Sequence, residues 1–402
     1  MDRYIVISAD CHAGADLRDY RPYLESRYQD DFDDWADHFV NPYGDLERPD
    51  ADRNWDSGRR TRDLEDDGVV AEVIYPNSIP PFFPKGGLTA LSPSPEEFEH
   101  RLAGLRAHNR WLAEFCAELP GRRAGVGQIL LNDTDEAVRD VHWIADHGLT
   151  GGALLPGMPP GVPVPPLHAP DHDPVWRACE ERGVLIAAHG GSASPDYGIY
   201  PASLSMWLME VTWFSHRPLW ALILSGVFDR LPGLRLVLAE QGSDWIANAL
   251  RTMDQFQYQI ERGGIGELKF VEPQMLERRP SDYWHDNCIV AASFLHRSDC
   301  ERREKIGGAS HIMWGSDYPH SEGTFPFSEE GIRKTFAGLD AVEVQRMLAG
   351  TAAEVYGFDL DFLAPIAATC GPEVDVVAGG LDKVPAGATS MAFRDERIRN
   401  VS

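Results

Sequence analysis

Eight short apolar runs, each followed by a stretch carrying helix signals, are spaced between residues 4 and 317. They are YIVISA (4–9), VVAEVIY (69–75), RAGVGQIL (123–130), TGGALL (150–155), VLIAAH (184–189), LRLVLAE (234–240), DNCIVAA (286–292) and HIMWGSD (311–317). Most are continuous rather than alternating, which suits strands covered on both faces in a parallel sheet. Between them, SPEE at 94–97 reads as an N-cap serine, a proline at the first helical position and a capping-box glutamate. Asp133 to Glu136 repeats the capping pattern, with Gly148 as the helix stop. Asp173 and Pro174 open another helix that ends at Gly183. Eight strands alternating with helices predict an α/β fold, a (β/α)8 TIM barrel. An open doubly wound sheet is the competing arrangement, but no GxGxxG follows the first strand.

Two regions break the alternation. Residues 15–60, acidic and rich in aromatics, form a long insertion after strand one. In a barrel such an insertion emerges on the catalytic face, where it is placed to roof a pocket. Residues 358–402 lose periodicity, with Gly and Pro scattered through them. They read as an irregular C-terminal tail that either wraps the barrel or lacks order. The expected division is a barrel over 1–357 and a tail over 358–402.

The length of 402 residues is enough for one large α/β domain or two smaller ones. With 43% hydrophobic and 25% charged residues, the composition is that of a soluble globular protein. A net charge of -26 opposes binding to phosphate backbones and to anionic membrane surfaces, so neither nucleic acid nor membrane is an expected partner. No window approaches the ~18 consecutive apolar residues of a membrane span. The start, MDRYIVISAD, lacks a basic region followed by a long apolar stretch, so no leader is expected. Six cysteines lie scattered without a CxxC, as expected of reduced thiols in a cytoplasmic protein rather than of disulfides or a thiolate zinc site.

Barrel enzymes collect their chemistry at the C-terminal ends of the strands. Strand one ends in Asp10 and His12, two residues apart and therefore on one face. Strand five ends in His189, followed by Gly190 and Gly191, which let a ligand approach the backbone. Strand six ends in Glu240 and strand eight in Asp317. Four of eight strand ends thus offer metal-binding side chains. Each has a plainer reading: His189 as a satisfied core histidine, SDYP around Asp317 as a turn, and Glu240 as the cap of a helix starting near Ser243. His320 would line the pocket or sit in a solvated loop. His216 and Glu210 lie in the aromatic helical stretch MWLMEVTWFSHRPLW (206–220), where packing competes with a substrate-facing role. Glu72, inside strand two, is read as a barrel-interior acid that needs a partner. The remaining histidines and the charge runs at 28–37 and 62–67 read as solvated faces.

Taken with ISADCHAG (7–14), DGVVAEVIYPN (67–77), ACEERGVLIAAHGG (178–191), LSGVFDRLPGLRLVLAEQGSDWI (224–246), IMWGSDYPHSEGTFP (312–326) and GTAAEVYGF (350–358), this pattern resembles the amidohydrolase superfamily. The nearest likeness is its branch that includes decarboxylases of aminocarboxymuconate semialdehyde and resorcylate. The resemblance spans roughly residues 4–357. It implies that Asp10 and His12 fill the strand-one HxH site, with Asp for the first His. It further implies that His189 is the strand-five ligand and that Asp317 is the strand-eight aspartate that touches metal and handles a proton. The departure is Glu240, where decarboxylating relatives carry His. Cys11, between the two ligands, is directed to the other face and reads as packing.

Such a ligand set, two imidazoles with two or three carboxylates and no thiolate, favours Zn, Mn or Fe. A bound divalent metal would lower the pKa of water to ~7, with Asp317 and Glu240 as catalytic acid/base groups. The first expectation is therefore a metal-dependent hydrolase of an organic acid, amide, ester or lactone. Non-oxidative decarboxylation on the same site is an alternative. The exchanges at positions 10 and 240 open another, because a barrel of this family has been adapted to di-iron oxygenation of terpenoid-like substrates. In that case Glu240 bridges a second iron, with His216 or His320 completing its shell. A barrel that merely binds a ligand should have lost one of Asp10, His12, His189 and Asp317, yet all four stand. The eleven tryptophans and the aromatic insertion suit a bulky or aromatic small-molecule substrate. The resemblance also implies a homo-oligomer, a dimer.

Overall fold

The computed structural model describes residues 2–77, 79–84, 91–191, 193–264, 266–267 and 275–394. Eight strands form one sheet in chain order, every neighbouring pair parallel. They are β1 Ile7–Ala13, β2 Ala71–Pro76, β3 Arg123–Gln128, β4 Gly152–Leu154, β5 Ile186–His189, β6 Leu236–Ala239, β7 Cys288–Ser293 and β8 Ile312–Gly315. The chain beyond β8 closes the ring on β1: Asp317 N–H donates to the Asp10 carbonyl at 2.8 Å, and His12 N–H to that of Tyr318 at 2.7 Å. The fold is a (β/α)8 barrel. Among the described residues no helix is long and apolar enough to cross a membrane.

Strand residues sort by alternation into two buried layers. Ile7, Ala9, Val73, Val126, Val237 and Met313 pack inside the barrel. Their sequence neighbours, such as Ile74, Ile186 and Leu238, face the surrounding helices. Glu72 belongs to this outer set. It does not point into the barrel as its sequence position suggested, because the inward positions of β2 are Ala71, Val73 and Tyr75. It instead takes Arg60 and Arg123 as partners (Arg60 Nε to Glu72 Oε1 2.9 Å, Arg123 Nε to the same oxygen 3.3 Å).

Helix ends follow local capping. The Asp133 side chain accepts from Glu136 N–H at 2.9 Å at the start of Thr134–Asp146. The helix Asp173–Arg182 ends at Gly183 in the left-handed region, φ 64°. In SPEE the Glu97 carboxylate accepts from Ser94 N–H at 3.0 Å, and the helix itself begins at Phe98. The 62–67 run is not wholly solvated: Asp67 is buried and accepts from Ser328 N–H at 2.9 Å. His108, His172 and His296 are buried too, His108 bonded through Nδ1 to the Tyr20 hydroxyl at 2.7 Å.

The insertion after β1 contains a helix, Gln29–His38, and short 3-10 turns. Past β8 the chain forms helices Leu360–Cys370 and Val374–Gly379, while 395–402 lie outside the described residues. Leu363 and Ala367 join the barrel-interior cluster, and Tyr4 N–H donates to the Pro372 carbonyl at 2.8 Å. This segment therefore seals the end of the barrel where β1 begins.

Candidate metal centre

Ile7 and Ala9 point into the barrel, so strict alternation would turn Asp10 and His12 outward. A β-bulge between Ser8 and Cys11 adds one residue to β1 against β2 and reverses the parity. Asp10 and His12 thereby face inward. Cys11 turns to the helices, its Sγ 3.4 Å from Ser316 Oγ, with burial pushing its thiol up to about 12.

Asp10, fully buried, lies with Oδ1 3.3 Å from His189 Nε2 and 3.4 Å from His12 Nε2, while Oδ2 accepts from the Ser293 hydroxyl. His12 Nε2 also stands 3.2 Å from Asp317 Oδ1. The His12 ring offers its other nitrogen, Nδ1, to the Pro76 carbonyl at 3.2 Å, and His189 offers Nδ1 to that of Gly190 at 2.9 Å. In both rings a donating Nδ1 directs Nε2 at the cluster, where it would ligate an ion once its proton is displaced, as a ligating histidine requires. His12 Nε2 and Asp317 Oδ2 are buried with no hydrogen-bond partner. Orphaned atoms of this kind, amid a nitrogen- and oxygen-rich donor set, fit a divalent ion held by Asp10, His12, His189 and Asp317.

Glu240 and Asp317 both adopt left-handed backbone, φ 52° and 60°. For non-glycine residues this costs about 1–3 kcal/mol each and is typical of functional positions. In β6, Val237 and Ala239 point inward, so a continued strand would send Glu240 outward. The left-handed turn instead brings Glu240 Oε2 to 3.3 Å from His189 Nδ1. Glu240 is not a helix cap: the following helix starts at Ile246 without a side-chain cap. Gly190 leaves room for Glu240, since a Cβ there would lie 2.7 Å from the Glu240 carbonyl oxygen and 2.9 Å from Oε2, and with Gly191 it also lines the cavity.

His320 stacks on His12 with ring centroids 4.0 Å apart. Its Nδ1 is 2.8 Å from Asp317 Oδ1 and its Nε2 2.9 Å from Asn77 Oδ1. Ligand atoms of Glu240, Asp317, His320 and Glu322 converge within 4.8 Å of one another, a second group beside the first. The electrostatics are tightly linked. Burial opposes charge on His189, but Glu240 and Asp10 outweigh it and raise its pKa to about 9. Burial likewise opposes charge on His320, and Asp317 with Glu240 raises it to about 10. Burial, with Asp317 and Asp10, pushes Glu240 up to about 7 against the pull of His189. Asp10 and Asp317 are held below the usual carboxylate range, their histidine neighbours overcoming burial.

His12, His189, Glu240, His320 and Glu322 border a cavity of about 630 Å3, whose wall includes Tyr43, Arg48, Arg101, Gln128 and Trp207; Asp10 and Asp317 lie buried behind them. The sequence profile of the amidohydrolases matches residues 21–358. The chain belongs to the amidohydrolase family.

This amidohydrolase is 27% identical over 279 residues to the gamma-resorcylate decarboxylase of Rhodococcus jostii (strain RHA1), covering 66% of this chain and 80% of that protein. It is 23% identical over 320 residues to the 2-amino-3-carboxymuconate-6-semialdehyde decarboxylase of Dictyostelium discoideum, covering 76% and 77%. Its fold matches that of the 5-carboxyvanillate decarboxylase from Sphingomonas paucimobilis with a TM-score of 0.64 at 20% identity, over 89% of this chain and all of that one (100%). A dihydroxybenzoic acid decarboxylase from Polaromonas sp. JS666, with bound manganese, matches with a TM-score of 0.59 at 16% identity, over 88% and 97%.

Five expected residues of this amidohydrolase, Asp10, His12, His189, Glu240 and Asp317, meet at one end of the barrel together with His320. His216 and Glu210 are not part of that meeting. His216 stacks on Trp245, ring centroids 3.5 Å apart, and Glu210 accepts from the Tyr197 hydroxyl at 2.7 Å. From the same helix, Ser203–Ser215, it is Trp207 that borders the cavity. Sequence reasoning missed Ser293, Asn77, Arg60 and Glu322. Arg60 Nη1 donates to the His12 carbonyl at 2.7 Å and so fixes the ligand strand from behind. Only Glu322 carried a signal, as an acid five positions past Asp317.

Proposed function

We propose that this amidohydrolase is a metal-dependent, non-oxidative decarboxylase of a bulky or aromatic organic acid. The observation that carries the reading is Asp317, sealed in the barrel mouth with Oδ1 between two histidines and Oδ2 unpartnered. A divalent ion on Asp10, His12, His189 and Asp317 would supply Lewis-acid polarisation of a substrate carboxylate or hydroxyl oxygen. Asp317 and His320 share a proton across their 2.8 Å contact. As the bond to the departing CO2 breaks, the electron pair stays on carbon and takes up a proton that His320, the group that holds it, delivers through Asp317. His320, held by Asn77, then regains its proton from solvent. Apolar side chains such as Ile79, Phe83, Ile129 and Leu155 wall the cavity. They disfavour a charged carboxylate relative to neutral CO2. The named relatives support decarboxylation over hydrolysis, and manganese in the Polaromonas enzyme makes Mn the first metal to load.

Incubation of the Mn-loaded protein with hydroxybenzoic acids in D2O tests this. Release of CO2 with one deuterium on the product carbon is expected. Ester or lactone hydrolysis without CO2 from any acid would restore the hydrolase.

A second reading rests on the group Glu240, Asp317, His320 and Glu322. Two metals sharing Asp317 would make a carboxylate-rich pair, and such pairs hold two irons in oxygen-activating proteins. Two Fe per chain, with substrate-dependent O2 uptake, would favour this reading. About one metal per chain, with the stoichiometry unchanged in Glu322→Gln, would exclude it.

A further inference from the structure

A separate cavity of about 370 Å3 lies between the start of the helix Ile246–Glu261 and the segment that runs from Arg297 to Ile306. Its wall shares no residue with the cavity at the metal cluster. Helical spacing brings Asn248 and Arg251 to one face of the longer helix. Opposite them stand Arg302 and Lys305, three apart, the spacing that stacks side chains on a 3-10 turn such as Arg303–Ile306.

Three cations around one cavity stand out in a chain with 63 acidic and 37 basic residues. Their neighbours in the same segment have found acids: Arg297 pairs with Glu301, and Arg303 with Glu343. Arg251, Arg302 and Lys305 form no ion pair among the described residues. The Arg251 guanidinium donates only to the Asn248 amide oxygen, at 2.6 Å, which aims it along the cavity wall. Two acids also border the space. Asp299 is committed to the backbone, accepting from His296 N–H at 3.1 Å, and Asp244 is exposed.

The observation that turns this cluster into a site is Ser243. It is only 4% exposed and borders the cavity, yet its hydroxyl has no hydrogen-bond partner among the described residues. Its carbonyl is used, accepting from Ile246 N–H at 3.3 Å, so the side chain alone is left facing the space. The helix that begins there has no side-chain cap, and its first turn adds backbone N–H groups of the same polarity.

We propose that this cavity binds a phosphomonoester, its phosphate held by Arg251, Arg302, Lys305 and the Ser243 hydroxyl. A phosphate ester offers three strong acceptor oxygens to these donors, where a carboxylate has two. The remaining volume, floored by Ala247 and Ile306, takes a small organic body. The occupant is a ligand other than the substrate, and the site does not depend on which reaction the metal cluster performs.

Calorimetric titration of the Mn-loaded full chain with glycerol 3-phosphate and phenyl phosphate tests the site, with acetate as the control. At least one ester binds saturably, one per chain, and about tenfold or more tighter than acetate. Arg302→Gln combined with Lys305→Gln weakens that binding about tenfold or more, and Ser243→Ala weakens it as well, with metal content at the wild-type level in both proteins. No saturable binding of either ester, or equal affinity for acetate, overturns the proposal. Ester affinity unchanged in either variant also overturns it, since the anion would then sit elsewhere, as on the metal.

Discussion

His189 Nε2 lies 3.3 Å from Asp10 Oδ1, although 179 positions separate the two residues in the chain. That spacing, set by β1 and β5 on different sides of the barrel, is what one shared ion between them requires.

Removing one member of that pair should empty the site. His189→Ala is expected to lose bound metal and turnover together. Asp317→Asn keeps an oxygen facing His12 and is expected to retain most of the metal while turnover falls by ~10²–10⁴. Elemental mass spectrometry beside a CO2 assay reads both. Full metal content in His189→Ala would show that the ligand set is misassigned.

Gly315 makes room for Asp10, since a Cβ there would lie 2.7 Å from Asp10 Cβ and 2.8 Å from Ser293 Oγ. Gly315→Ala should therefore displace Asp10 and weaken metal binding by about 10–100-fold, the usual scale for disturbed support of a ligand. Competition with a chelator measures it. Wild-type affinity would mean that Asp10 can shift at no cost to the site.

The buried carboxylate of Glu72 serves two arginines, one of which holds the His12 carbonyl. Glu72→Gln leaves Arg60 and Arg123 uncompensated in the helical layer and should destabilise the fold by about 3–5 kcal/mol. Urea unfolding gives the value. A loss below about 1 kcal/mol would show that water or a rearranged acid reaches the arginines.

Burial pushes the Asp67 carboxyl from 3.8 up to about 7, with Ser328 opposing and Glu330 and Glu329 adding. A group with its folded pKa raised contributes stability that is present below the unfolded value and lost as pH rises through the folded one. Between pH 4 and 7 the unfolded chain thus releases a proton that the folded chain keeps. Asp67→Asn keeps the oxygen facing Ser328 and removes this loss. It should be more stable than wild type by about 1–3 kcal/mol at pH 8 and show little gain at pH 4. Equal melting shifts at both pH values would assign the effect to packing instead.

Much of the fold was legible in the sequence because continuous apolar runs and helix caps are local signals. Asp133 and Gly183 act where their residue types say they should. The parallel barrel follows from repeating such units, and strand ends are where side chains leave the core. Asp10, His12, His189, Glu240 and Asp317 could therefore be read from position alone. Glu72 could not be placed, because a strand's inward and outward faces look alike when both are buried. His216 and Glu210 misled for a related reason: an aromatic helix beside a cavity offers only some of its side chains to it, and here Trp207 is the one that reaches the lining.

By itself, then, the sequence determined which residue types stand at the strand ends, and so the metal chemistry available to the chain. Tertiary structure decided which way those residues face and what they meet. The bulge in β1 turns Asp10 and His12 inward, and left-handed backbone at Glu240 and Asp317 swings two carboxylates onto the histidines. Glu322 and Asn77 reach the cluster only because closing the barrel carries distant loops and strands to one cavity. Alternation and capping act over a few residues and can be read along the chain; backbone parity and the convergence of remote segments depend on contacts that form only when the ring closes.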